Sequence, residues 1–210
     1  MTKVMLRAAL TCALLGGLVA AHAQQSKDVQ AMKVATESAQ PGSGHSVTLK
    51  GNALPLLGSP VRLGEPLPAA MVTAGDLSPV NLAESSGKVR VISVVPSLDT
   101  PVCEAQTHEL SEKDRKLAEQ VDMITISMDL PFAQQRFAKE AKISNVKFYS
   151  DYKSADFGNN NGLLIEPLKL LARAVIVVDK QGIVRYLQVV PEVTQLPDMA
   201  SALNVAKSLL

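Results

Sequence analysis

The chain has 210 residues, 47% of them hydrophobic and 20% charged, a balance that fits a folded water-soluble protein and excludes a disordered or fibrous one. Its formal net charge of +1 gives no electrostatic basis for a nucleic-acid or anionic-membrane partner. No apolar run after the first two dozen residues is long enough to cross a bilayer.

The N-terminus reads as an export signal. Lys3 and Arg7 form a short basic start, Ala8 to Ala21 form an apolar stretch, and Ala21-His22-Ala23 offers the small residues a signal peptidase accepts. Residues 1–23 are therefore expected to be a signal peptide, cleaved after Ala23, with the mature protein exported to the periplasm or secreted. The apolar run is short and glycine-broken for a membrane anchor. Loss of Lys3 and Arg7 takes the net charge to about −1. Residues 24–45, polar and ending in Pro41-Gly42-Ser43-Gly44, are expected to be a flexible tether, with one folded domain over residues 46–210.

Val47 to Lys50 and the segment after Gly51-Asn52 predict a β-hairpin, and Ala70 to Thr73 a further strand. Val89 to Val95 is a nearly continuous β-branched run, the pattern of a strand buried on both faces. A helix is expected from Val102 to about Gln120, then a strand over Val121 to Met128. This spacing predicts a right-handed βαβ unit. Pro131 opens a short helix reaching Phe137. Residues 147–166 show no clear period and are expected to be loop-rich. Ala174 to Asp179 and Ile183 to Val190 predict an antiparallel hairpin across Lys180-Gln181-Gly182, and Pro197 opens a last helix. The fold class is α/β: a thioredoxin-like mixed central sheet with flanking helices, preceded by a β-hairpin.

Cysteine usage points to the site. The sequence has two cysteines, and Cys12 leaves with the signal. Cys103 remains, and a lone thiol in an exported chain is an inert buried group, an intermolecular link or a reactive centre. It falls at the start of a helix, where free N–H groups favour a thiolate, although Glu104 opposes this by its charge. Arg173 is a candidate positive partner, on the argument that a parallel sheet brings the strand it precedes towards that helix. Standing alone, Thr100 reads as a helix N-cap, Pro96 as a strand terminator and Arg173 as a surface ion-pair residue. Asp99 and Asp129 are candidate caps, and Phe132 and Phe137 read as core or pocket wall. His108, five residues beyond Cys103, faces elsewhere on the helix. With His45 as the other histidine of the mature chain, neither a metal nor another cofactor is expected.

The run Pro96-Ser97-Leu98-Asp99-Thr100-Pro101-Val102-Cys103 resembles the active-site loop of the peroxiredoxins. Ser127-Met128-Asp129-Leu130-Pro131-Phe132-Ala133-Gln134 and Leu171-Ala172-Arg173-Ala174-Val175 narrow the resemblance to the thiol peroxidase subfamily, from about Ser46 to the C-terminus. That resemblance implies a thiol-dependent peroxidase acting on hydrogen peroxide and alkyl hydroperoxides through a cysteine sulfenic acid. Cys103 would be the nucleophile, Thr100 would position the peroxide, Arg173 would stabilise the thiolate and the developing charge, and Pro96 would shape the loop and shield the sulfur. A homodimer is implied as well.

Two departures stand out. Many members carry a resolving cysteine in an Arg-Phe-Cys context that here is Arg136-Phe137-Ala138, so the expected reductant is an external thiol, either a thioredoxin-like protein or a small molecule. The aromatic often found before the glycine at 162 is Asn161. A non-enzymatic redox sensor or disulfide-linked partner protein that keeps the reactive cysteine is the alternative reading, and a degenerate binding domain is a third.

Overall fold

The computed structural model describes residues 32–84, 86–112 and 116–210. The signal peptide expected over residues 1–23 and the first part of the tether lie outside the described residues. From Val34 to Leu210 the chain forms one unit.

Its frame is a seven-stranded mixed sheet. The strands are β3 (Met71–Thr73), β4 (Pro79–Asn81), β5 (Arg90–Val94), β6 (Asp122–Ser127), β7 (Lys147–Ser150), β10 (Ala174–Val178) and β11 (Val184–Val189). They lie in the order β11-β10-β5-β6-β7-β3-β4. The β5-β6-β7 pairs are parallel; β10 runs antiparallel to both β5 and β11. A smaller sheet joins the hairpin β1 (Ser46–Leu49) and β2 (Asn52–Leu57) to β8 (Leu164–Ile165) and β9 (Leu170–Leu171).

Every residue of β5 and β10 is buried, and their alternating side chains divide between two cores. Ile92, Val94, Ala174, Ile176 and Val178 face one core, together with Leu56 and Ile165 of the small sheet and Phe157 of α4 (Asp156–Asn161). Val91, Val175 and Val177 face the other, under Leu110 of α1 (Pro101–Glu112) and Met199, Leu203 and Ala206 of α5 (Met199–Ser208). A continuous β-branched run is what such a doubly covered strand requires.

The helix expected over residues 102–120 is two pieces, α1 and a short α2 (Leu117–Gln120). The helix at Pro131 is α3 (Pro131–Glu140), with proline in its first turn, where no N–H is needed. The last helix starts at Met199 rather than Pro197, because Asp198 caps it by accepting the Ser201 N–H.

The stretch 147–166 is more regular than its sequence suggests. It holds β7, α4 and β8. Three consecutive asparagines give α4 little intrinsic propensity. The buried Asp151 supplies the missing stabilisation, its two carboxylate oxygens accepting the Phe157 and Gly158 N–H groups. Asn161 is fully buried and donates to the Phe157 carbonyl, which fills the position of the expected aromatic with a helix-end contact.

The tether expectation does not hold from Val34 onward. Ala35 is buried and its N–H reaches the Leu196 carbonyl, the Val189 N–H donates to Ser38 Oγ, and the Ala39 N–H donates to the Val189 carbonyl. The Gly42 N–H then meets the Gly162 carbonyl at 2.8 Å. These small polar residues look loose in sequence, yet they satisfy the outer edge of β11, which otherwise leaves backbone groups without partners.

Candidate functional site

The site grows from the carboxyl end of β5. The strand's register continues one residue further, since the Val95 N–H donates to the Ile126 carbonyl, and Pro96 then turns the chain out of the sheet. The loop 96–100 leads into the first turn of α1, where Cys103 is 0% exposed. Val95, Leu98, Phe137 and Phe148 pack around the sulfur. Beside it an open cleft of about 320 Å³ is lined by Leu98, Thr100 and Phe137 among others, with Asp99, Glu104 and Glu140 at its walls.

Three of the four residues singled out from the sequence converge. Thr100 occupies the N-cap position, its carbonyl accepting the Glu104 N–H, while its hydroxyl lies 2.9 Å from Cys103 Sγ and 3.2 Å from the Ser97 carbonyl. It thus caps with its backbone and faces the sulfur with its side chain. Arg173 Nη2 lies 3.4 Å from Cys103 Sγ. Pro96 is half-buried at the head of the loop, where it stops the strand.

The route by which Arg173 reaches the sulfur differs from the expected one. β10 is antiparallel to β5, with Ala174 opposite Val94. The start of β10, not its end, therefore lies beside the carboxyl end of β5, and Arg173 stands just before that start. The guanidinium is 2% exposed. Its Nε donates to the Val193 carbonyl at 2.9 Å and its Nη1 to Gln106 Oε1 at 2.7 Å. Among the described residues no carboxylate lies within ion-pairing distance of it. A buried cation without a counter-charge is costly, and the group that faces the third side of this one is the Cys103 sulfur.

Two residues of the site are not evident from the sequence. Gln106 is fully buried and holds the Arg173 fork from one side, while its Nε2 donates to Ser93 Oγ at 2.8 Å. Its signal is a polar residue one helical turn beyond Cys103 on the face that enters the core. Asp129, expected as a helix cap, instead accepts from Ser97 Oγ at 2.8 Å and from the Leu98 N–H at 2.7 Å. Asp99 makes no cap; its N–H reaches Ser97 Oγ. Phe137 is a pocket wall as expected, whereas Phe132 is 63% exposed because its place in the first turn of α3 points it off the core. His108 lies by Glu104 and Glu112 on the outer face of α1, away from the sulfur.

The Redoxin family model matches residues 62–203. A thiol peroxidase of Halalkalibacterium halodurans is 47% identical over 165 residues, 79% of this chain and 99% of the relative. One from Bacillus subtilis is 41% identical over 164 residues, 78% of this chain and 98% of the relative. A solved structure of a peroxiredoxin-like protein from Aquifex aeolicus superposes with a TM-score of 0.74 at 42% identity, covering 79% of this chain and 97% of that one. With this frame and with these relatives matched over nearly their whole length, the chain belongs to the thiol peroxidase subfamily of the peroxiredoxins.

Proposed function

We propose that the protein reduces hydrogen peroxide and alkyl hydroperoxides at Cys103 as a one-cysteine, thiol-dependent peroxidase. The observation that carries this reading is the buried guanidinium of Arg173, which has neutral oxygens on two sides and the sulfur of Cys103 on the third. In the reaction the thiolate attacks the distal peroxide oxygen. The S–O bond forms as the O–O bond breaks, leaving a sulfenic acid and an alkoxide or hydroxide that takes up a proton. Thr100 holds the peroxide by its hydroxyl. Arg173 follows the negative charge from the sulfur to the leaving oxygen, and such preorganised donors are worth roughly 10²–10³ in rate.

Ala138 stands where relatives of this type often carry a second thiol, and Cys12 belongs to the segment we read as a signal. The sulfenic acid is therefore returned to the thiol by an external donor, a thioredoxin-like protein or a small thiol, in the compartment beyond the membrane. We also expect the mature protein to be a homodimer. The non-enzymatic sensor is not favoured, since the curated relatives are thiol peroxidases matched over nearly their full length.

The test is peroxide consumption by the mature protein with several thiol donors, alongside mass spectrometry of Cys103 after one equivalent of hydroperoxide. Turnover with a trappable sulfenic acid that Cys103→Ser abolishes is the expected result. Oxidation of Cys103 without turnover with any donor would leave the sensor reading in its place.

A further inference from the structure

Cys103 is 0% exposed, yet the external thiol must reach it once it is oxidised. The loop over the sulfur therefore has two jobs: closed during attack on peroxide, open during reduction. What holds it closed is visible from the far side. Asp129, in the turn between β6 and α3, accepts the Ser97 hydroxyl on one carboxylate oxygen at 2.8 Å and the Leu98 N–H on the other at 2.7 Å. Hydrogen bonds to a charged acceptor are among the stronger ones a surface loop can have. The turn that presents the carboxylate is itself fixed. The Ser150 hydroxyl donates to the Asp129 carbonyl, and Gln134 Nε2 ties Ser127 Oγ at 2.9 Å to the Tyr149 carbonyl at 2.8 Å.

The held residues are the ones that matter to the sulfur. Ser97 offers its carbonyl to the Thr100 hydroxyl, and Leu98 packs on Cys103. By its charge a carboxylate opposes a nearby thiolate; the value of Asp129 lies in the two donors it holds. We propose that Asp129 is the latch of the Cys103 loop, a positioning residue that favours the peroxide step and whose release admits the reductant. This rests on the peroxidase reading above. In the second step the donor thiol attacks the sulfenic sulfur, water leaves and a mixed disulfide forms; a second thiol then frees Cys103.

A latch acts with opposite sign on the two half-reactions, which loss of fold does not. Asp129→Ala should slow single-turnover oxidation of Cys103 by hydrogen peroxide about tenfold or more. It should also speed the reaction of the pre-formed sulfenic acid with 2-mercaptoethanol by about threefold, through a larger open population. Asp129→Asn can accept the Leu98 N–H and donate to Ser97 Oγ, and should restore most of both rates. Ser97→Ala removes one of the two bonds to Asp129, together with the longer contact from the Asp99 N–H. It should move both rates in the same directions by less, and it carries the test if Asp129→Ala does not fold. Unchanged rates in folded Asp129→Ala or Ser97→Ala, both rates falling together, or no rescue by asparagine would overturn the latch. A wild type that forms no sulfenic acid would instead sink the peroxidase reading itself.

Discussion

At the scale of single residues, the guanidinium of Arg173 is held from three directions, and only one of its contacts is with the reacting atom. The other two, to Val193 and Gln106, fix where the third points. Arg173→Lys keeps the charge but loses the fork, so it should retain fold while losing most of the peroxide rate, roughly 10²-fold by stopped-flow. Gln106→Ala should do two things. It leaves Arg173 Nη1 and Ser93 Oγ without their buried partner, which should cost about 1–3 kcal/mol in a denaturant titration, and it should slow peroxide reduction by about tenfold. Cys103 was legible in the sequence as a lone thiol at a helix start and Arg173 as its candidate cation, whereas Thr100, an N-cap when read alone, was legible through the resemblance of its loop to the peroxiredoxins. Gln106 and Asp129 were not. Each acts on another residue rather than on the sulfur, and sequence spacing does not show which side chain a loop leans on.

At the scale of elements, two carboxylates outside the site give the fold opposite pH dependences. Glu192 pins the β1–β2 turn to the loop after β11: it accepts the Lys50 and Gly51 N–H groups and the hydroxyls of Thr48 and Thr194. Partial burial opposes its charge, but these four donors outweigh it and hold the carboxyl down at about 2 from an ordinary 4.5. Its contribution to stability is complete above about pH 4.5 and is lost as the pH falls towards 2. Glu192→Gln should remove that part of the acid unfolding curve, followed by circular dichroism. Asp151 is the reverse case. Burial pushes its carboxyl up from 3.8 to about 6, against the pull of two backbone N–H donors. The folded state then binds the proton more tightly than the unfolded one, so raising the pH from 3.8 to about 6 costs stability. Asp151→Ser keeps one acceptor at the start of α4 and drops the charge. Urea titrations at either end of that window should show a smaller loss for the variant than for the wild type. The cause of the mistaken loop expectation for 147–166 lies here too. α4 is made by a cap five residues ahead of it, not by its own composition, whereas β5 and β10 are written in their β-branched runs because both of their faces are covered.

At the scale of the whole molecule, the N-terminal segment, the end of β2 and the end of α4 meet at three glycines. Gly42, Gly58 and Gly162 all have positive φ, and a Cβ on Gly58 would stand 1.9 Å from the Asn159 carbonyl oxygen. One on Gly162 would stand 2.5 Å from the Gly42 nitrogen. Gly58→Ala should therefore cost at least about 2 kcal/mol, read as a lowered thermal midpoint, with little change in the peroxide rate of the protein that remains folded. This junction is not legible in the sequence: Gly42 reads as part of a flexible tether, and a lone glycine such as Gly58 does not show which backbone passes close to it.

The docked segment also bears on the exposed rims of the large sheet. Along the outer rim of β11, Val189 is engaged by Ser38 and Ala39 at one end, and Val184 by Gly64 and Glu65 at the other. On the opposite rim β4 is three residues long and begins with a proline. Among the described residues, these features cover or shorten both rims of the large sheet, which makes either a poor template for a neighbour's strand. Crowding or partial heating should therefore not zip the folded molecules together along the two rims of the large sheet, an outcome that light scattering of the heated protein checks.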